Sequence, residues 1–297
     1  MSDSALKTVT VLGSGIMGAG IAQVAAMGGL DTFLYDVNDA ALEKARGVIA
    51  GSLKKLAEKG KFPAADVDAT LARVRTTTDF AAAVTPSDFV IEAIPEKLDL
   101  KQRTFVELER LTRPGVPLGS NTSSLMISAI AEPLRDKGRV IGVHFFNPVP
   151  VMRLIEIVLG PDSSPQALAA TEALAKVMGK ETVRVKEAPG FATSRINALI
   201  GLEAFRMLES GIASAEDIDK ALKLGLNHPM GPFEMADLVG LDTRLSTIRY
   251  LHKTLGETFR PSPLMEKLVE EGRLGRKVGR GVYTYDAKGN RIPDATH

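Results

Sequence analysis

Gly13-Ser14-Gly15-Ile16-Met17-Gly18 stands directly after the apolar run 8–12 and opens a stretch rich in small residues, Ala19, Gly20, Ala22, Ala25 and Ala26. A strand that turns through glycines into a helix begins a βαβ unit, which commits the chain to a parallel sheet covered by helices. Gly13 makes the tight turn, Gly15 lets a pyrophosphate approach the backbone, and Gly18 lets helix and strand pack closely. The helix N-terminus then offers unpaired N–H groups to the phosphates. Ser14, Ile16 and Met17 complete the loop as candidate cofactor contacts. Asp36 closes the next β-rich run, eighteen residues past Gly18. A carboxylate there accepts hydrogen bonds from ribose hydroxyls and repels a 2′-phosphate. Neither Val37 nor Asn38 supplies a compensating Arg, so the pattern favours NAD over NADP.

The alternation continues. Candidate strands fall at 8–12, 32–35, 89–94, 117–120, 140–145, 154–158 and 182–185, and several are almost wholly apolar, as strands buried on both faces are. From Gly190 onward the β-rich runs cease, and 197–210 and 215–224 carry apolar residues at helical spacing. The expected fold is α/β: a Rossmann-type nucleotide-binding domain over 1–187, joined at Pro189-Gly190 to an all-helical domain over 188–297. The stretch 38–77 is too long for one crossover helix and reads as a helical insertion, with helices over 40–58 and 64–73 broken at Gly60–Pro63. Residues 39–61 hold six basic side chains against three acidic ones, a solvated face or a face for an anion.

Composition removes whole classes of chemistry. The chain has no Cys, so thiolate catalysis, Cys-ligated zinc, Fe–S clusters and disulfides are excluded, and no metal site is expected. Thirty-seven Lys and Arg against thirty-six Asp and Glu leave no global field to draw the chain to nucleic acid or to an anionic membrane. No apolar run approaches the ~20 residues of a membrane helix, and the polar start shows no secretory signal. A cytoplasmic protein is the expectation.

Of four His, His297 is a tail residue, His252 lies in a polar helical stretch and His228 in a loop. His144 ends an apolar strand at the carboxyl edge of the sheet, where open α/β folds bind ligands. Glu156 interrupts the apolar run Leu154-Ile155-Glu156-Ile157-Val158, which is costly unless the carboxylate is paired. If the two strands are neighbours, Glu156 holds the imidazole in one tautomer, as a positioned base requires. The turn Ser120-Asn121-Thr122-Ser123-Ser124 ends another strand at the same edge; Ser123 or Ser124 serves there either in the site or as a cap for a helix over 125–131.

These segments closely resemble the L-3-hydroxyacyl-CoA dehydrogenases, and within them the 3-hydroxybutyryl-CoA dehydrogenases of fatty-acid and butanoate metabolism. The likeness runs along nearly the whole chain, through VLGSGIMGAGIAQ from Val11, EAIPEKLDLK from Glu92, SNTSSL from Ser120, HFFNPVPVM from His144, PGF from Pro189, SAEDIDKALKLGLNHPMGPFEMADLVGLD from Ser214 and GRLGRKVGRGVYTY from Gly272. It implies NAD-dependent interconversion of (S)-3-hydroxyacyl-CoA and 3-oxoacyl-CoA, with His144 as base, Glu156 as its partner and Ser123 bonded to the substrate oxygen. It further implies that Glu96, Lys101, Ser123, Asn147 and Lys277 line the NAD site, that Ser52, Lys59 and Ser123 meet the CoA substrate, and that the helical domain forms a homodimer. In the family's PGFxxNR this chain has Ser194 where Asn is common, a shorter side chain with one donor in place of two. A related sugar-acid dehydrogenase and a non-catalytic NAD-binding protein are the alternatives. The basic helix weighs against the first and intact Ser123, His144 and Glu156 against the second.

Overall fold

In the computed structural model, which describes residues 6–292, the run after the N-terminus forms β1 (Thr8–Leu12) and the glycine loop feeds α1 (Ile16–Met27). Then follow β2 (Asp31–Tyr35), α2 (Asp39–Glu58), α3 (Val67–Arg73), β3 (Val74–Thr77), α4 (Phe80–Val84), β4 (Phe89–Glu92) and α5 (Leu98–Leu111). The first unit is completed by β5 (Leu118–Ser120), α6 (Ile127–Ala131), β6 (Val140–Phe145), β7 (Leu154–Leu159), α7 (Pro165–Val177) and β8 (Glu181–Lys186). The chain divides into two units between Ala188 and Pro189.

The eight strands form one sheet in the order β3-β2-β1-β4-β5-β6-β7-β8. The order reverses beside β1, and that crevice at the strands' carboxyl ends is where such sheets take a nucleotide. All pairs are parallel except β6 with β7. Only eight residues separate these two strands, too few for a crossover, so the chain turns straight back. Their antiparallel register sets His144 directly opposite Glu156. Val9, Val11, Phe89, Ile91, Val143 and Ile157 are fully buried in the core beneath, each such side chain stabilising by about 1.5–3 kcal/mol.

The structure corrects the helical reading of 38–77 at its end. The two helices are present, but 74–77 is the edge strand β3, paired in parallel with β2. Val74, Thr76 and Thr77 are β-branched, and Val74 at 1% exposure anchors the return to the sheet.

The second unit contains α8 (Thr193–Glu209), α9 (Ala215–Gly225), α10 (Pro232–Val239), α11 (Leu241–Leu255) and α12 (Pro263–Glu270). It is not wholly helical, since β9 (Thr284–Tyr285) and β10 (Arg291–Ile292) form a small antiparallel pair. Leu202, Phe205, Phe233, Leu245, Ile248 and Leu251 form its core.

Two buried carboxylates fasten the segment before β9 to the helices. Asp219 accepts from the Phe233 and Glu234 N–H groups at the start of α10 and from the Tyr283 hydroxyl. Asp237 accepts from the Val282 and Tyr283 N–H groups and the Tyr285 hydroxyl. Burial pushes both carboxyls above the ordinary Asp range, against the pull of these hydrogen bonds. Asp237→Ala strands three donors and is expected to cost about 3–5 kcal/mol, read by urea unfolding.

Candidate active site

The glycine loop is shaped by close approach. Gly13 has φ +94°, and its N–H donates to the Tyr35 carbonyl at 2.8 Å. A Cβ on Gly18 would lie 1.8 Å from the Gly13 oxygen, so no side chain fits there. A Cβ on Gly15 would meet nothing within 4 Å. Gly15 precedes α1 with no side-chain cap, no acidic residue occupies the first turn, and Ile16 is 77% exposed. The amides that open α1 therefore face space that an anion can enter, as a dinucleotide pyrophosphate requires.

Asp36 is tied into this loop. Its Oδ2 accepts from the Ser14 N–H at 2.8 Å and the Ser14 hydroxyl at 2.7 Å, and its Oδ1 from the Asn38 N–H at 3.2 Å. Ser14 is thus buried and turned toward Asp36, and its two hydrogen bonds orient that carboxylate. Oδ1, with a single donor, retains acceptor capacity for a ribose hydroxyl. Asn38, not Asp36, caps α2, through the Ala41 N–H. Asp36→Ala is expected to weaken NAD binding by roughly 10–100-fold and to narrow the preference over NADP, measured as the two dissociation constants. Equal use of both cofactors by the native protein would refute the role of Asp36.

At the other side of β4 and β5 lies the His–Glu pair. His144 Nδ1 and Glu156 Oε2 are 2.7 Å apart, with Glu156 fully buried and His144 7% exposed. The carboxylate accepts the Nδ1 proton, so in the neutral ring Nε2 carries the lone pair that a base uses. The Phe146 ring packs against the imidazole at 4.6 Å between centroids.

The serine turn sits at the end of β5. Helix α6 starts at Ile127 after Met126, without a side-chain cap, so neither Ser123 nor Ser124 caps it. The Ser128 N–H in its first turn is met instead by Glu187 at 2.8 Å. Ser123 and Ser124 belong to a loop built over Glu96. Glu96 Oε1 accepts from the Thr122 hydroxyl, the Ser123 N–H (3.2 Å), the Ser124 N–H (3.3 Å) and the Ser124 hydroxyl (3.0 Å). Burial works to raise the Glu96 carboxyl, yet Lys101 and the loop hydroxyls together hold it below the ordinary range. The exposed Ser123 side chain is presented at the strand edge. Asn121 joins the two edges, its Oδ1 accepting from the Phe145 N–H at 2.9 Å.

Asn147 is exposed three residues past His144. The turn that follows it is held by Lys180, whose ammonium donates to the Val149 and Met152 carbonyls at 2.5 and 2.8 Å. On α2, Ser52 is half-buried, and Lys59, at the helix end, is exposed. Their spacing of seven puts them on one face. Lys54 and Lys55 are also exposed.

In the second unit Ser194 lies in the first turn of α8, half-buried. Lys277 bonds both oxygens of Asp242 at 2.6 Å, which holds that carboxyl below its ordinary range. His252 pairs with Glu257 at 3.1 Å, and His297 lies outside the described residues. Among the described residues no cluster of three His, Asp or Glu could hold a metal ion, and no helix is long and apolar enough to cross a membrane.

Two groups escaped the reading of the sequence. Glu92, fully buried at the end of β4, accepts from Lys101 and from the Ser120 hydroxyl. The signal was the one that exposed Glu156, a carboxylate in an apolar strand. Asn121 gave no such signal, because polar residues are ordinary in turns.

Two family models cover the chain. One described as "3-hydroxyacyl-CoA dehydrogenase, NAD binding domain" matches residues 8–188, and one described as "3-hydroxyacyl-CoA dehydrogenase, C-terminal domain" matches residues 190–285. The chain is 44% identical over 288 residues to the "Hydroxyacyl-coenzyme A dehydrogenase, mitochondrial" of Sus scrofa, covering 94% of this chain and 91% of that protein. To the "Probable 3-hydroxybutyryl-CoA dehydrogenase" of Bacillus subtilis it is 43% identical, covering 95% and 99%. The crystal structure of (S)-3-hydroxybutyryl-CoA dehydrogenase from Ralstonia eutropha superposes with a TM-score of 0.90 at 42% identity, over 95% of this chain and 99% of that one.

Proposed function

The chain belongs to the 3-hydroxyacyl-CoA dehydrogenase family, and from that premise we propose that its preferred substrate is a short-chain (S)-3-hydroxyacyl-CoA, 3-hydroxybutyryl-CoA above all, with His144 as its base. The overall reaction is the NAD-dependent interconversion of 3-hydroxyacyl-CoA and 3-oxoacyl-CoA. The observation that carries the residue assignment is the His144–Glu156 pair, 2.7 Å long on adjacent strands at the sheet edge that also presents Ser123.

NAD, when bound, supplies the hydride acceptor. In oxidation His144 Nε2 takes the proton from the 3-hydroxyl as the hydride leaves C3, and the C3–O bond becomes a carbonyl. Glu156 keeps Nδ1 protonated and stabilises the imidazolium that forms. Ser123 donates its hydroxyl proton to the same substrate oxygen, and Ser194 is read as a substrate contact with the one donor that a serine has. In the reverse direction the imidazolium returns its proton to that oxygen. Gly13, Gly15, Gly18 and Asp36 hold the nucleotide, with Glu96, Asn147 and Lys277 on the same cofactor.

Ser52 and Lys59 share a face of a helix whose segment is basic, which suits the phosphates of CoA. The second unit is read as the homodimer surface, supported by Leu224 and Leu226 at 78% and 67% exposure. The reading extends to a cytoplasmic enzyme, and cell fractionation separates this from the mitochondrial location named for the Sus scrofa relative.

The test is NADH oxidation with acetoacetyl-CoA, with longer 3-oxoacyl-CoAs and with an oxidised sugar acid. The highest kcat/KM is expected with acetoacetyl-CoA. A preference of roughly tenfold or more for a long chain, about 1.4 kcal/mol, would overturn the short-chain assignment.

A further inference from the structure

The corner between α10 and α11 carries two carboxylates that act on one loop. Asp237, near the end of α10, takes the Val282 and Tyr283 N–H groups and so fixes the backbone at the far end of the loop 275–283. The near end is fixed by close approach, since a Cβ on Gly275 would lie 2.3 Å from the Asp237 carbonyl oxygen. Gly275 and Arg280 then close the turn between them, N–H to carbonyl in both directions at 2.9 and 3.2 Å. Lys277 stands in this pinned turn, and its long side chain is the part left to be placed.

Asp242, in the first turn of α11, places it. Each of its oxygens accepts from the Lys277 ammonium at 2.6 Å, and among the described residues this carboxylate is the ammonium's one hydrogen-bonding partner. The pair lies against the backbone of Gly240, which has φ +101°. A Cβ there would meet Asp242 Oδ1 at 2.9 Å and Lys277 Nζ at 3.2 Å, so the glycine leaves room for the pair. An ammonium has three protons at tetrahedral angles; one carboxylate takes two of them, and the third points away from it toward an acceptor. The side chains of Lys277 and Asp242 are 46% and 39% exposed, and an ion pair so exposed adds little to stability. What it fixes is a direction.

We propose that Asp242 is a positioning residue for Lys277: it takes two of the ammonium's protons and aims the third at an oxygen of the nicotinamide dinucleotide. The proposal rests on the reading of Lys277 as a cofactor contact. The neighbouring basic side chains show the contrast. Arg273 donates to the Gly281 carbonyl at 2.9 and 2.6 Å, and Arg276 lies 5.3 Å over the Tyr285 ring, so both are turned back on their own segment. Lys277 alone of these three is held at its tip by both oxygens of a carboxylate.

The first measurement needs no cofactor. Acetic anhydride acylates a lysine only after the nitrogen has left its hydrogen bonds, so the rate at Lys277 is read by mass spectrometry against the exposed Lys253 of α11. Asp242→Asn is expected to raise that ratio roughly three- to fivefold. The second measurement is NADH binding, by fluorescence titration, to the native chain, Asp242→Asn, Lys277→Met and the double variant. Lys277→Met is expected to weaken binding roughly tenfold and Asp242→Asn about three- to tenfold. The double variant should bind no more weakly than Lys277→Met, because Asp242 has nothing to act through once the ammonium is gone. An acid in the first turn of α11 also suits the helix dipole, and a merely structural role of that kind would add its own loss in the double variant and leave the labelling ratio unmoved. Additive losses, an unmoved ratio, or binding by Asp242→Asn as tight as native or tighter would overturn the proposal. Should Asp242→Asn fail to fold, the native chain decides: Lys277 labelled as fast as Lys253 would overturn it, and Lys277 labelled severalfold more slowly supports it. If Lys277→Met binds NADH as the native chain does, the cofactor reading of Lys277 fails, while the labelling ratio still judges the hold of Asp242 on the ammonium.

Discussion

His144→Ala is expected to lower kcat for oxidation by roughly 10³-fold, within the 10²–10⁴ that a positioned base contributes, while leaving the NADH dissociation constant within about threefold. In the proposed mechanism the imidazole paired with Glu156 receives the hydroxyl proton, whereas the nucleotide is assigned to the glycine loop and to Asp36, which is bonded to Ser14. Alanine also leaves Glu156 as a fully buried carboxylate without its imidazole partner, a loss on the order of 3–5 kcal/mol for a broken buried pair. His144→Asn controls for this, because its amide can donate toward Glu156 but cannot serve as a base at neutral pH. Both variants are expected to lose activity alike, with the asparagine protein the more stable. Oxidation within tenfold of native in the asparagine variant would remove His144 as the base.

Gly18→Ala and Gly15→Ala form the second test, with opposite expectations for stability. A Cβ added at Gly18 would stand 1.8 Å from the Gly13 carbonyl oxygen and 2.9 Å from its carbon, both backbone atoms of a turn that already has φ +94°. The loop must open, which costs about 1–3 kcal/mol of stability and weakens NADH binding on the order of 100-fold. Gly15 has φ −62° and open space where a Cβ would go. Its alanine variant should unfold at the native temperature and still bind NADH roughly tenfold more weakly, because the methyl occupies the approach of the pyrophosphate. Thermal unfolding paired with NADH titration separates the two positions. Normal binding in Gly18→Ala would mean that the nucleotide does not use this turn.

The glycine loop was readable because all its parts are contiguous: strand, turn and helix start within about twenty residues, and local sterics decide the shape. Glu156 was readable for another reason, the expense of a charge in an apolar run, which announces a partner without naming it. Glu92 sends the same signal from β4, yet its partner Lys101 lies nine residues on in a helix whose exposed positions carry other basic residues, Arg103 and Arg110. The strand at 74–77 was hidden by the charged helical segments before it. Its β-branched residues acquire meaning only as the edge beside β2. The two serines were ambiguous because a hydroxyl before a helix is equally a cap or a site group, and only the start of α6 at Ile127 separated the two.

By itself the sequence determined the α/β class, the nucleotide loop, NAD as the cofactor and a family likeness, since each rests on neighbouring residues or on the cost of burying one side chain. The tertiary structure alone decided the pairing of His144 with Glu156, the four donors gathered on Glu96 and the burial of Lys101 between two carboxylates. Those depend on which strands are neighbours and in what register, and a one-residue slip between β6 and β7 would send Glu156 to the opposite face. Register follows from the packing of the whole sheet, so no local stretch of the chain contains it.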